Sequence, residues 1–407
     1  MAVSFNQLSP DQVHAVEAAV QWYQSRDVRP FRIFGPAGSG KTTVAQHVLT
    51  AMDTTTQALA PTNRAAKILR INGVHGARTI HSVLFQPTPW CHTENHQVDS
   101  RCIQEEAKHQ HGVRFFKRAD PPEGVKCFTI DEASMVGQRI GADVAMFGIK
   151  TLVIGDPYQL PPVGDDPAYD RSLPGVDLDS SHRFDSLSDI GKLANTIRVS
   201  SGLKDWKSLI PYVTFDDVDN YNLLLAWRNE TRWQIITTLR SIRGKSLDEP
   251  QIGDRLISVA NTYEAGVLNA DELEVSGPTT PATHMGAIMI PTKEKGVVQA
   301  WKAGFKDFEG EKWAAQQGRR KGADICALTW SECMTVHKAQ GGEWKNVLVV
   351  DDLDKMNWAI PDDLNTWAYT AVTRASKKVD FIKIGAFPTG MSLRKRIAAA
   401  AAEVVAL

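Results

Sequence analysis

No stretch of the 407 residues approaches the roughly 18 to 20 consecutive apolar positions that a membrane-spanning helix needs. The opening residues, MAVSFNQLSPDQ, have neither the basic region nor the apolar core of a secretory leader. A cytoplasmic protein with no membrane partner is therefore expected, in a cell or in an infected host. Cysteine is scarce: Cys91, Cys102, Cys127, Cys326 and Cys333 are odd in number and lack a close pair, which fits a reducing compartment better than a disulfide framework. The formal net charge of -1 removes the overall basic footprint of a tail-driven nucleic-acid binder, so any strand path must be a local groove. The 43% hydrophobic and 23% charged residues are those of a globular chain, long enough for two or more cores.

From Phe31 to about Ser180, short apolar runs alternate with amphipathic stretches; FRIFG, ALAPT, KCFTID and TLVIGD each end in turn-forming or polar residues. This alternation predicts a parallel sheet with crossover helices. Such sheets bind ligands outside the carboxyl ends of their strands, and each of the four runs carries its reactive residues directly after its apolar part. Two regions break the pattern. Residues 85–119, rich in histidine and charge, read as an inserted subdomain. Residues 251–328 hold GDRLISVANTY and GAIMIP, short β-like runs without helical crossovers, and read as a second, β-rich insertion. NVLVVDD and VDFIKIG restore the α/β pattern, so a second sheet domain is expected from 181–250 plus 329–407, beside a first from 1–84 plus 120–180. The alanine-rich Ile397 to Leu407 predicts a helix.

The segment Gly35-Pro36-Ala37-Gly38-Ser39-Gly40-Lys41-Thr42 matches GxxxxGK(S/T), follows the apolar FRIF and leads into TTVAQHVLTAM, a plausible helix beginning at Thr42 and Thr43. Strand, loop and helix in that order are what a phosphate loop requires. Its glycines let backbone N–H groups turn around phosphates, the helix start adds its dipole, Lys41 supplies a point charge and Thr42 a hydroxyl for Mg²⁺. Asp131 and Glu132 follow the apolar part of KCFTIDEASMV. Adjacent carboxylates at a strand end suit one, Asp131, to hold Mg²⁺ and the other, Glu132, to orient or deprotonate the attacking water. Gln159, held between a Gly-Asp turn and two prolines in TLVIGDPYQLPPVG, is placed to sense a γ-phosphate. ATP and Mg²⁺ are the cofactors this set calls for.

GPAGSGKTT, APTNRAAKIL, TIHSVL, TIDEASMV, GDPYQLPPVG, TVHKAQGGEWKNVLVV and WAYTAVTRA resemble, in order, motifs I, Ia, Ib, II, III, V and VI of superfamily 1 helicases, over about Leu8 to Ile384. The DEAS and GDxxQLPPV forms are similar to the RecD-like and phage Dda-like branch, superfamily 1B, which implies 5′-to-3′ travel. The resemblance implies an α/β fold of two RecA-like parallel-sheet motor domains with two small inserted subdomains. It also implies single-stranded DNA and single-strand/duplex junctions as partners, with replication or recombination proteins beside them, while the near-neutral charge and compact length suggest a monomer. RNA stays open, because contacts to phosphates and base faces tolerate either sugar.

By the same resemblance Arg183, in VDLDSSHRF, corresponds to the motif IV arginine and Arg374, in VTRA, to the arginine finger of the second motor domain. Gly342 and Glu343 of motif V join the nucleotide-binding set. Gln12, in LSPDQVHAV, resembles the adenine-reading glutamine, although Ser9-Pro10-Asp11-Gln12 also reads as a capping box. Pro61, Thr62, Asn63, Thr79, His81, Thr335, His337 and Lys338 fall along the single strand, where small polar groups grip phosphate without reading sequence. AWRNETRWQI resembles the segment between motifs IV and V but departs from the family pattern at Trp227 and Glu230, which weakens any role for Asn229 or Arg232.

The first insertion stands where relatives carry a duplex-splitting pin, and Phe85 and Trp90 offer stacking surfaces or minor core side chains there. Its Cys91, His92, His96, Cys102, His109 and His111 could ligate zinc, but without a close CxxC pair. Against the helicase reading stand a translocase or protein-remodelling factor that unwinds little, and a nucleotide-gated nucleic-acid-binding switch.

Overall fold

Phe31–Phe34 is buried at all four positions because it becomes an inner strand of a six-stranded parallel sheet, where both faces are covered. The computed structural model describes residues 7–52, 56–91, 93, 95–98, 111–178, 189–200, 208, 210, 212–318, 324–352 and 361–406. Across this sheet the strands run Arg78–Thr79, Thr56–Ala60, Cys127–Ile130, Lys150–Gly155, Phe31–Phe34, Gly175–Asp177. The register pairs Phe34 with Gly155 and Ile130 with Val153, so the strands expected from FRIFG, ALAPT, KCFTID and TLVIGD end along one edge. Alternation along the strands builds two cores. Ile33, Leu152 and Ile154 pack with Val44, Val48 and the helix Pro10–Gln24 on one face, and Phe34, Phe128, Ile130 and Val153 with Ile80 and Leu84 on the other.

A second parallel sheet has the order Cys333–Thr335, Leu223–Ala226, Trp344–Asp351, Ala375–Lys383. Trp367, Ala368 and Tyr369 of the helix Pro361–Val372 cover one face; Ile235, Ile236 and Leu239 of Asn229–Ile242 cover the other. The chain is thus α/β, with two parallel sheets of the RecA-like kind.

Between these sheets in sequence, Arg255–Ser258 pairs antiparallel with Glu272–Glu274 and Leu328–Trp330. Thr280–Pro281, Ala287–Thr292 and Gly296–Trp301 form an antiparallel meander. The expectation of strands without helical crossovers fails at its end: Ile325–Cys326 pairs parallel to Gly296–Trp301, and a parallel connection needs a crossover, which contains the helix Phe308–Gly318. Residues 85–117 contribute a hairpin, Phe85–Cys91 against His111–Lys117, with His96–Gln97 on the free edge of the first strand. The C-terminal helix is longer than the alanine run suggests, Gly390–Ala406. Among the described residues, no helix is long and apolar enough to cross a membrane.

Candidate functional site

The phosphate loop leaves its strand at Gly35, whose N–H donates to Gly155 O at 3.1 Å. A side chain at Gly35 is barred, since a Cβ would stand 2.6 Å from Ser39 Oγ and 2.9 Å from Leu178 Cβ. Gly38 and Gly40 adopt φ of +83° and +79°, a region in which L side chains are strained, and turn the chain into the helix Lys41–Ala51. The first N–H groups of that helix, on Lys41, Thr42 and Thr43, have no intrahelical acceptor, which makes its start an anion site. Lys41 Nζ is held at the loop by Gly35 O and Pro36 O, both at 2.8 Å. Gln12 serves cap and loop together: its Oε1 accepts from Ser9 N–H at 3.0 Å and its Nε2 donates to Ser39 O at 3.0 Å.

Asp131 and Glu132 emerge from the strand Cys127–Ile130 on the same edge. Asp131 N–H donates to Leu59 O at 2.9 Å, and Glu132 N–H donates to Asp131 Oδ1 at 2.9 Å. Glu132 sits at φ +54°, costly for a side-chain-bearing residue and of the kind found at functional sites. Burial, and then the neighbouring Glu132, push the Asp131 carboxyl up to about 7, against the opposing pull of the Glu132 N–H and the Lys41 charge. A carboxyl so raised beside a second carboxylate, with the Thr42 hydroxyl in the first turn of the helix after the phosphate loop, is an oxygen donor set that a hard divalent cation fits. In the next loop Gln159 is 6% exposed, and its Oε1 is buried with no hydrogen-bond partner among the described residues.

The second sheet's helix Pro361–Val372 closes on these loops. Tyr369 hydroxyl donates to Asp156 Oδ2 at 2.8 Å and accepts the Ala37 N–H at 2.8 Å. Thr370 Oγ1 accepts from Leu160 N–H at 3.0 Å, and Gln340 Nε2 donates to Leu160 O at 3.1 Å. Sequence reasoning passed over Asp156, Tyr369, Thr370 and Gln340; the signal was their place as polar residues inside the motif strings themselves. Arg374, 5% exposed, donates to Thr370 O at 3.0 Å, Gly342 O at 3.1 Å and Thr373 Oγ1 at 3.2 Å. Glu343 is exposed at the same turn. Arg183 lies outside the described residues.

Along the expected strand path, three threonine hydroxyls act as helix caps: Thr62 Oγ1 accepts from Ala65 N–H at 3.2 Å, Thr79 Oγ1 from Ser82 N–H at 3.2 Å, and Thr335 Oγ1 from Lys338 N–H at 3.4 Å. Pro61 precedes the first of these caps, half-buried. Asn63 Nδ2 donates to Asn261 Oδ1 at 2.9 Å. The His337 ring meets the Trp227 ring edge-on at 6.1 Å, and burial lowers its pKa. Lys338 Nζ lies 2.5 Å from Glu311 Oε1, and Glu311 also pairs with Arg232 and accepts from Trp233 Nε1 at 3.1 Å. Arg232, fully buried, thus has a structural partner. His81 stacks on Phe85 at 5.7 Å between ring centroids. Trp90 lies in the hairpin opposite Gly112, with its side chain outside the described residues. Cys91 is buried, His92, Cys102 and His109 lie outside the described residues, and no group of three metal-ligating side chains occurs among the described ones.

Residues 7–206 match the family model of an AAA domain, and residues 331–382 that of a UvrD-like helicase C-terminal domain. No curated protein matches the chain by sequence. Among solved structures it is similar to Pif1 helicases described as unwinding forked duplex DNA, with 16% identity, 97% of each chain covered and a TM-score of 0.56. It is also similar to Bacteroides Pif1 bound to single-stranded DNA, with 15% identity, 97% of each chain and 0.55. A third likeness is to Bacteroides Pif1 in complex with ADP-AlF3 and single-stranded DNA, with 16% identity, 95% of this chain, 97% of the other and 0.53. At such identities these structures establish the fold, while the two matched segments lie one on each parallel sheet. The first parallel sheet thus carries the AAA-domain match and the second the match to a UvrD-like helicase C-terminal domain, the two parts of an ATP-hydrolysing helicase.

Proposed function

We propose that the chain is an ATP-driven motor that moves 5′-to-3′ along single-stranded DNA and opens the duplex ahead of it. The observation that carries this reading is the seam between the two sheets. The phosphate loop and the Asp156–Leu160 loop of one are bonded directly to Tyr369, Thr370 and Gln340 of the other, four residues before Arg374 in the case of Thr370. A nucleotide held at Lys41 would therefore meet both halves, and its hydrolysis would change how they fit. In this reading the motors are 1–84 plus 120–180 and 181–250 plus 329–407, the hairpin region 85–119 is a wedge carrying Phe85 and Trp90, and 251–328 is a small β-rich subdomain. The forked and single-stranded DNA of the similar Pif1 structures supports strand and junction as partners.

Within the nucleotide site, Lys41 and the helix-start amides bind phosphate, Glu132 orients the attacking water, and Gln159 offers its unpaired Oε1 to that water or its amide to the γ-phosphate. Gln12, beyond the two bonds already made, has one amide hydrogen and one lone pair with which to meet adenine. Thr42 and Asp131 would hold Mg²⁺, which when bound offsets phosphate charge. Gly342 and Glu343 stand by the finger.

The raised Asp131 pKa gives a pH-dependent prediction. The unfolded carboxyl loses its proton near the ordinary value of 3.8 and the folded one only at about 7, so its contribution to stability is full below 3.8 and lost as pH rises through about 7. Asp131→Asn should therefore melt higher than wild type at pH 8 but not at pH 4, while its Mg²⁺-dependent turnover is lost. Equal melting temperatures at pH 8 would show that the carboxyl carries no such penalty.

Steady-state ATPase with and without single-stranded DNA tests the motor reading. Turnover that rises on adding strand is expected; strand-independent turnover would favour the nucleotide-gated switch.

A further inference from the structure

Arg64 follows the strand-path residue Asn63 and opens the helix Asn63–Ile71, yet its side chain is 9% exposed. Its guanidinium leaves the first sheet's surface and enters the other two parts of the molecule. Nη2 donates to Glu272 Oε1 at 2.7 Å and approaches Ala270 O at 3.4 Å, both in the β-rich region. Its plane lies over the Trp344 ring, with Cζ 5.0 Å from the centroid. Nη1 is buried with no hydrogen-bond partner among the described residues and packs against Gly342, where an added Cβ would stand 2.9 Å from it and 2.5 Å from Trp344 Cη2.

Both residues that Arg64 touches in the second motor hold Arg374. Gly342 O accepts from Arg374 Nη1 at 3.1 Å, and Trp344 N–H donates to Arg374 O at 2.9 Å. Burial first, and the like charge of Arg374 in addition, lower the Arg64 pKa, while Glu272 opposes them. The neighbours reinforce the docking: Asn63 bonds Asn261, and Lys67 Nζ lies 3.6 Å from Asp271 Oδ1. A half-paired buried guanidinium is costly unless Glu272 and Trp344 close on it together, which makes its surroundings sensitive to small shifts of the seam.

We propose that Arg64 is a positioning residue that couples strand engagement at Pro61–Asn63 to the placement of Arg374. The inference rests on the strand-stimulated motor proposed above. A strand that shifts the start of the Asn63–Ile71 helix moves Arg64 with it, and Arg64 presses on Gly342 and Trp344, which fix both the side chain and the backbone of Arg374. Arginine suits the task because one planar group can stack on indole and fork to a carboxylate at once, which lysine cannot do.

The test measures ATPase of the full chain with and without a single-stranded oligothymidylate for wild type, Arg64→Lys, Glu272→Gln and the double variant. For Arg64→Lys the basal rate should stay within about twofold while strand stimulation falls about tenfold, a coupling change of ordinary size. Glu272→Gln, which leaves the arginine in place, should lose part of the stimulation, and the double variant no more than Arg64→Lys alone. Stimulation retained in Arg64→Lys would overturn the inference. So would basal and stimulated rates falling together at constant ratio, because that marks a merely structural side chain. If wild type itself is not stimulated, the motor reading fails first and this inference with it.

Discussion

Lys41→Ala is expected to reduce ATP turnover by at least about a thousandfold, more than the loss of one neutral transition-state donor, because a full positive charge leaves the phosphate cradle. The amine stands at the mouth of the loop, on Gly35 O and Pro36 O at 2.8 Å each, and no other lysine lies in the loop to replace it. Because it is half-buried and its hydrogen bonds among the described residues go to loop carbonyls, its removal should leave the fold intact, so an unchanged thermal melt would accompany the lost phosphate release. Turnover at the wild-type rate would mean that this loop is not where ATP is hydrolysed.

The second large effect is expected at Arg374. Arg374→Ala should bind a fluorescent ADP analogue about as well as wild type yet lose roughly a thousandfold or more in turnover, the scale of a missing arginine finger. Its guanidinium is tethered to Thr370 O, Gly342 O and Thr373 Oγ1 within its own half of the molecule, so it contributes to chemistry only as the seam brings it to the phosphates. The planar, permanently charged fork can then stabilise charge on the transferred group. Removing it also takes the guanidinium donor from the Gly342 carbonyl, while Thr370 O keeps the Thr373 hydroxyl, so a small loss of stability should accompany the kinetic defect. Wild-type turnover in this variant would remove Arg374 from the active site.

What could be read from the residues was whatever is local. Strand, tight turn and helix succeed one another within about a dozen positions, so FRIFGPAGSGKTT and KCFTIDEAS announced their edge and their chemistry without any partner. The clasp between the halves could not be read this way. Tyr369 and Ala37 are 332 positions apart, and Gln340 and Leu160 are 180 apart, distances over which no periodicity carries information. The helix Phe308–Gly318 escaped for a different reason. Its inward face presents Glu311, which is buried because Arg232 and Lys338 pair with it, so the apolar stripe that betrays a helix is interrupted by a charge. The path threonines read as polar grips from the sequence, and each hydroxyl also caps a helix, accepting an N–H while its own proton stays available to donate. Gln12 takes its place in the capping box through its oxygen, and its nitrogen adds a bond to Ser39 O, 27 positions away, that no local pattern announces.

The proposed motor is tested most directly by unwinding matched duplexes that carry either a 5′ or a 3′ single-stranded tail, with ATP and Mg²⁺. Opening of the 5′-tailed duplex alone is the expected result. Opening of the 3′-tailed duplex alone would contradict the direction of travel, and failure to open either, with ATPase indifferent to strand, would contradict the motor itself.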